Sequence, residues 1–373
     1  MMKKLITFLF LILLASCGEK GNSENAISEN ILENLTLSVD TVMIDPKGKL
    51  FELNWGPRSS SISEDGKHLF LYNSNSNQIQ KINLDELTWE QDYDFEVEGP
   101  NGTSDLVLKT KTIGSDKFLI TAFNHMGIYD KAGSLLKDLS ISSLPISTNL
   151  DELNYGILLS ADQKSLFSLP GIQYNGPRTL AKINLENYEV ENLKLPEMDW
   201  IYDIKVSMGE RVILQETMYL VEINNQILAL SGSASAFYSY DPSTDSLSYH
   251  TFEHKISPTK IDVVLKAQVN SDKEYQDEFY RFFMAFRFEP PIWDASRELY
   301  FRFGRKPTLR DEKYQLIKSE VYLYAYDQEF NLIGEALLPI TNRPSDPFFK
   351  DGKLWSYVNV DDELGFAVFT FNF

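Results

Sequence analysis

The residues best suited to recognising a ligand are concentrated between Glu274 and Lys306, where Arg281, Arg287, Arg297, Arg302 and Arg305 stand among Tyr275, Tyr280, Trp293 and Tyr300. The chain around them is acidic, with 54 Asp and Glu against 35 Lys and Arg and a formal net charge of −19. A guanidinium forks two parallel hydrogen bonds onto a carboxylate, and an aromatic ring stacks on a sugar or another apolar face. Arg281 and Arg287 are six residues apart, so one continuous strand would present both on the same side, and Arg305 near another strand end could meet them at a rim. Arg281, Arg287, Arg305, Tyr280 and Trp293 therefore form the candidate binding set. The competing use of these arginines is internal, in pairs with Glu274, Asp277, Glu278 and Asp294 while the aromatics fill space between sheets.

Other chemistries find less support. His68, His125, His250 and His254 have no metal-ligand spacing; His250 and His254 are four apart, but Pro258 and strand-forming neighbours argue against a shared helical face. His125 falls at an expected turn, where it suits hydrogen bonding better than catalysis. No nucleophile elbow, phosphate loop or cysteine nucleophile is present, so no catalytic residue, metal or cofactor is assigned. A catalytic pair assembled from distant loops would leave no trace in sequence spacing. The acidic balance excludes a nucleic-acid partner, which would require a concentrated basic surface.

The first residues carry a different message. Lys3 and Lys4 precede an apolar run from Leu5 to Leu14, followed at once by Leu14-Ala15-Ser16-Cys17. The run is short for a membrane span and has the length of a signal-peptide core. Cys17 is the only cysteine, so it has no intramolecular disulfide partner. The expectation is a signal peptide over residues 1–16, a lipid-modified Cys17 opening a polar tether over 17–34, and one domain over 35–373.

What positions the candidate residues is a repeat. Ile62–Phe70 reads ISEDGKHLF and Leu159–Phe167 reads LSADQKSLF, while Lys81–Asp85 (KINLD) returns as Lys182–Glu186 (KINLE). The offsets of 97 and 101 residues are about two periods of 49, and Ser115–Ile120 (SDKFLI) supplies a degenerate copy between them. Short strands at such a period predict an all-β chain folded as a β-propeller. Three units read clearly over Ser59–Val97, Asp105–Ile146 and Leu153–Pro196. A fourth begins near Tyr202 with ambiguous later strands. A fifth uses Phe279–Phe288, Glu298–Phe303, Val321–Tyr326 and Leu332–Leu338, and the last runs from Phe348 to Phe373. Length alone allows seven blades. Six are preferred because Ile256–Asp277 and Lys306–Tyr314 read as connections. Leu35–Ile44 beside Gly365–Phe373 would close the ring and remove two open edges. Asp65, Asp162 and Asp351 recur at equivalent hairpins, as turn formers rather than acids.

Together the Leu14–Cys17 signal, the tether, ISEDGKHLF, QKINLD and the late FYRFFMAFRFEP segment (Phe279–Pro290) resemble lipoproteins of the Bacteroidota with a propeller-like domain of unknown function, of the kind numbered 4221. That resemblance implies an envelope location and supplies no catalytic residues; only the lipidation of Cys17 carries over. The expected function is a non-enzymatic envelope lipoprotein, joined to the membrane through Cys17, that binds a glycan, an acidic small molecule or an envelope protein. The alternatives are a hydrolase or lyase acting on a carbohydrate or related acidic compound in the channel, and a mainly structural assembly protein. If Cys17 is the attachment point, Cys17→Ser expressed in its native envelope will take up no labelled fatty acid and will move from the membrane to the soluble fraction; unchanged membrane recovery would refute the assignment.

Overall fold

The two copies of the repeat fold as copies. In each, a serine and an aspartate two residues on build the same turn: Ser63 Oγ donates to Asp65 Oδ1 at 2.6 Å, which accepts the Lys67 amide at 3.1 Å, and Ser160 Oγ, Asp162 Oδ1 and the Lys164 amide repeat those distances. Gly66 has φ 69°, and Gln163 at the equivalent place adopts φ 60°, a strain the glycine avoids. The asparagines of the KINL motifs also match, since Asn83 Oδ1 accepts the Asp85 and Glu86 amides and Asn184 Oδ1 those of Glu186 and Asn187. Asp351 differs: with φ 51° before Gly352 at 71° it forms a hairpin turn in which both central residues are left-handed.

These observations come from a computed structural model that describes residues 30–54, 56–57, 59–146, 156–171, 176–310 and 316–373. The expected signal peptide, Cys17 and most of the expected tether lie outside the described residues.

The elements in chain order are as follows. β1 (Thr36–Met43) precedes a sheet of β2 (Ser60–Ile62), β3 (His68–Asn73), β4 (Gln78–Asn83) and β5 (Thr88–Asp94). The next sheet holds β6 (Val107–Ile113), β7 (Lys117–Ala122), β8 (Met126–Asp130) and β9 (Leu135–Asp138), and the third β10 (Leu158–Leu159), β11 (Ser165–Ser168), β12 (Thr179–Asn184) and β13 (Val190–Lys194). β14 (Lys205–Met208) and β15 (Arg211–Gln215) come before the sheet of β16 (Tyr219–Ile223), β17 (Gln226–Leu230), β18 (Phe237–Asp241) and β19 (Ser246–His250). β20 (Gln268–Val269) then returns to lie parallel to β14, and α1 (Asp272–Phe283) follows. The fifth four-stranded sheet is β21 (Arg287–Asp294), β22 (Leu299–Arg310), β23 (Leu316–Tyr326) and β24 (Leu332–Leu338). β25 (Phe348–Lys350), β26 (Lys353–Val360) and β27 (Glu363–Asn372) make the last, completed by β1, which pairs antiparallel with β27 from Thr36↔Asn372 to Met43↔Gly365. Among the described residues there are thus six four-stranded sheets and one of three strands.

Alternation along the second strand of each sheet explains the architecture. On β3, Leu69 and Leu71 pack with Trp355 and Phe366 of the last sheet, while Phe70 and Tyr72 pack with Phe118 and Ile120 of the next one. β11 divides likewise, with Leu166 facing Leu119 and Phe167 facing Tyr240, and β22 sends Tyr300 toward Phe237 and Phe301 toward Phe369. A strand carrying apolar side chains on both faces has to sit between two neighbours, and six clusters of buried residues fill the spaces between successive four-stranded sheets.

Three sequence expectations change. Phe279–Phe288 is not one strand. Residues to Phe283 are helical because Ser271 caps the helix, accepting the Glu274 amide, while Glu274 reaches back to the Asn270 amide at 2.9 Å. The chain becomes extended only at β21, so Arg281 and Arg287 do not share a strand face. The stretch from Tyr202 through Arg211, read as the start of a fourth unit with ambiguous later strands, supplies two strands of the separate three-stranded sheet instead. The last residues of the expected tether are packed: Leu32 is 1% exposed, the Ile31 amide donates to the Ile333 carbonyl, and Asn30 Oδ1 and Nδ2 pair with the backbone of Glu335. Gly334 permits this approach, since a Cβ there would come within 2.8 Å of both Ile31 and Leu32.

His254 lies in this core with its side chain fully buried, Nδ1 3.3 Å from Glu335 Oε2 and its ring 4.3 Å from that of Tyr324. Burial, with Arg302 adding repulsion, pushes its pKa down to about 4. Glu335 would favour the imidazolium, but Nε2 has no acceptor, so a second N–H would be stranded in the core. The neutral form is therefore the native one. In the unfolded chain the ring takes up a proton below its ordinary value of 6.5, so the stability this residue contributes is complete above that pH and drains away as pH falls toward 4. Denaturant titrations at pH 7.5 and 4.5 should show wild type losing about 3 kcal/mol more than His254→Phe over that interval; equal losses would contradict the assignment.

Candidate functional site

The first strands of four sheets border one open cavity of about 570 Å³. β2 contributes Ile62, β16 contributes Val221, Glu222 and Ile223, and β21 contributes the run from Glu289 to Trp293; Phe303 of β22, Phe348 of β25 and the preceding Arg343–Pro347 loop complete it. β16 packs against β21, and β21 against β25, so these first strands are neighbours in space though far apart in sequence. Pro290 and Pro291 fall where β21 breaks register with β22 between Phe288 and Pro291. A proline donates nothing to a ladder and is tolerated at such an irregularity. The volume is that of a small-molecule site, and the lining is mainly apolar with a few charges.

Apart from the exposed Asp346, which accepts from Ser345 Oγ at 2.9 Å, those charges are arranged in two groups. On one side, Glu289 accepts from Arg305 Nε at 3.0 Å and pairs with Arg343 Nε at 2.9 Å. Next to them Arg287, the register partner of Arg305, pairs with the buried Glu216, donates to Ser233 Oγ at 2.8 Å and lies 4.6 Å over the Phe282 ring. Gly232 leaves room for that guanidinium, since a Cβ there would sit 3.1 Å from Arg287 Nη2. Three guanidiniums thus share two carboxylates. Burial, only partly offset by Glu289 and reinforced by Arg343 and Arg287, holds Arg305 below its ordinary pKa. On the other side, Lys111 of β6 reaches Glu222 at 2.5 Å.

The candidate residues separate accordingly. Trp293 lines the cavity, its ring 4.6 Å from that of Tyr300. Arg305 stands behind Glu289, and Arg287 is held by Glu216. Arg281 lies on α1, where it pairs with Glu278 at 2.9 Å and donates to the Val264 carbonyl at 2.7 Å; neither it nor Tyr280 of the same helix borders the cavity. Of the internal acidic partners expected, Glu278 takes Arg281 and Asp294 takes Arg297 at 2.5 Å. Arg302, fully buried, is satisfied by the carbonyls of Glu289, Ser235 and Ala234 and lies between the rings of Phe237 and Phe288. His125 bonds Tyr129 at 2.6 Å and Ser140 at 3.0 Å, a structural use.

Sequence reasoning missed Glu222, Glu289, Arg343 and the lysines of β6. The usable signal was position: each belongs to, or flanks, the first strand of a unit, the strand that borders the cavity. Among the described residues no group of three His, Cys, Asp or Glu side chains could hold a metal ion, and no helix is long and apolar enough to cross a membrane.

Residues 28–337 match the family described as domain of unknown function DUF4221. The chain belongs to that family. A DUF4221 member from Bacteroides vulgatus has a solved structure similar to this one, with a TM-score of 0.66 at 12% identity, covering 92% of this chain and 99% of that one. A candidate exported protein from Bacteroides fragilis gives a TM-score of 0.51 at 10% identity, covering 92% and 97%. The β-propeller domain of Swd1 from Myceliophteria thermophila follows at 0.40 and 8%, covering 90% and 99%. No curated protein matches the DUF4221 chain in sequence. At these identities the likenesses concern the fold.

Removing one member of a buried ion pair strands the other, whereas an exposed pair contributes little. Glu216→Ala should therefore cost about 3 kcal/mol in urea unfolding, and Arg281→Ala less than about 1 kcal/mol. Equal losses would show that Arg287 is not structurally committed.

Proposed function

We propose that this DUF4221 protein is a six-bladed propeller, held closed by β1 and β27, that is tethered to the bacterial envelope through Cys17 and binds an acidic small molecule or glycan in its axial cavity. Six interfacial clusters in a cyclic order of sheets support the blade count, with the β14–β15–β20 sheet and α1 as an insertion. The envelope location draws on the signal-like N-terminus and on the relative from Bacteroides fragilis, described as a candidate exported protein.

The observation that carries the binding reading is the cavity itself, which joins a half-exposed Trp293 and an apolar floor to the Arg343 guanidinium, with Arg305 and Arg287 in the layer behind it and Glu222, Glu289 and Asp346 as the carboxylates on its walls. In a chain of charge −19, a cluster of three guanidiniums beside a tryptophan is the place where the acid group of a ligand finds forked donors. Glu222, Glu289 and Asp346 border the cavity; the first two are already ion-paired, which leaves Asp346 without a second unpaired carboxylate among the described lining residues and favours recognition over hydrolysis.

The test is a titration of acidic and neutral sugars and carboxylic acids followed by tryptophan fluorescence, with Trp293→Phe isolating the relevant signal. Acidic ligands should bind. Arg343→Gln and Trp293→Ala should each weaken them about tenfold, while Arg281→Gln should not. Binding that ignores charge, or that survives both cavity variants, would overturn the reading.

A further inference from the structure

At the far side of Glu222 from Trp293, β6 presents two lysines to a second, smaller space. Lys109 and Lys111 are two residues apart on an unbroken part of the strand, so both point the same way, while Thr110 and Thr112 between and beyond them are buried on the opposite face. The register slip of β6 against β7 lies earlier, between Val107 and Lys109. Lys109, Lys111 and Glu222 line this space with Leu119 and Thr121 of β7 and the apolar Ile157–Leu159 segment. Glu222 also borders the larger cavity, so this residue stands between the two spaces.

The charges here do not balance. Lys111 takes Glu222 at 2.5 Å, and Lys109 has no hydrogen-bond or ion-pair partner among the described residues. Lys109 is solvent-accessible, yet protein surrounds it closely enough that burial pulls its pKa down, against the attraction of Glu222 and with the repulsion of Lys111. Among the described residues no other charged group lines the space; Thr121 is neutral and the β10 side is apolar. A cation with a second cation beside it, and with the one nearby carboxylate already paired to that second cation, is stabilised by an anion that can reach it. The enclosed part, about 20 Å³, has room for a group the size of a water molecule or two. A flat carboxylate entering edge-on suits it better than a tetrahedral phosphate.

We infer that Lys109, flanked by Lys111, is a carboxylate-recognition subsite, and that it receives the acid group of a ligand whose body lies in the Trp293 cavity. This deepens the ligand-binding reading and rests on it for the ligand's body, but the subsite stands on its own geometry. The ligand class becomes a carboxylic acid of sugar size, in which a neutral or apolar face meets Trp293 and a terminal carboxylate passes Glu222 to reach β6. Carboxylate binding favours the ammonium form of Lys109, so binding takes up protons wherever that amine is partly neutral, and affinity falls as pH rises through its titration.

The subsite can be read without the full ligand. With the lysines of the full domain converted to ¹³C-dimethyl-lysine, the Lys109 resonance, assigned by its absence in Lys109→Met, should titrate at lower pH than the other lysines. Sodium formate, the bare carboxylate, should shift that titration upward, and sodium chloride at equal ionic strength should not. Glucuronate should bind more tightly than glucose, with the preference reduced about tenfold in Lys109→Met. That variant should unfold at the same or a higher temperature than wild type, because it removes an unpaired charge; a lower temperature would show a structural role instead. A Lys109 titration unmoved by formate overturns the subsite, whatever glucuronate does. A formate shift without glucuronate binding retains the subsite and overturns the cavity reading.

Discussion

Every four-stranded sheet in this molecule carries apolar side chains on both faces, and that one constraint dictates the rest. Leu69 and Phe70 are adjacent on β3 and buried in different clusters. Neither face can be left to water, so each such sheet requires two neighbours, and Leu69 of the first sheet finds one in Trp355 of the last. The pairing of β1 with β27 follows from the same requirement, since it covers an edge of the last sheet with the start of the chain. Sheets packed face to face in this way leave their first strands turned toward a common space, which is why residues as distant in sequence as Ile62, Glu222 and Phe348 border one cavity.

The charges in that space show how the scaffold and a binding site can be separated within one dense segment. Arg302, Arg297 and Arg287 hold the fold: their donors go to carbonyls or to buried carboxylates, and their planes lie near aromatic rings. Arg343 and Glu289 stand at the surface of the cavity, and Arg305 supports them from behind. Arginine suits both tasks because it stays charged when desolvated and its planar fork accepts several partners at once. The richness of Glu274–Lys306 in arginine is mostly a property of the core, with a small functional margin.

The sequence was most informative where local chemistry repeats. Ser63-Asp65 and Ser160-Asp162 build the same turn because a short carboxylate beside a hydroxyl has few other ways to satisfy nearby amides, and so the first three units were legible with nearly their observed limits. Phe279–Phe288 misled because aromatic-rich extended segments and amphipathic helices share a composition; the cap formed by Ser271 and Glu274 was the decisive local signal and lay upstream of the assigned strand, before its first residue Phe279. The cavity was only partly legible. Trp293 could be singled out by type, but Lys109, Glu222 and Arg343 gain their meaning from packing between sheets, which spacing along the chain does not encode.

The clasp at residues 30–35 bears on how the molecule would carry load. Asn30 and Ile31 are fastened to the outer strand of one sheet, β24, whereas β1, a few residues on, belongs to the neighbouring sheet. A pull on the N-terminus, as from a surface to which the chain is moored, therefore meets the Asn30–Glu335 bonds and the seat of Leu32 before it reaches the β1–β27 ladder. The short clasp stands in series ahead of the longer seam that pairs first and last strands, in the position of a strain relief.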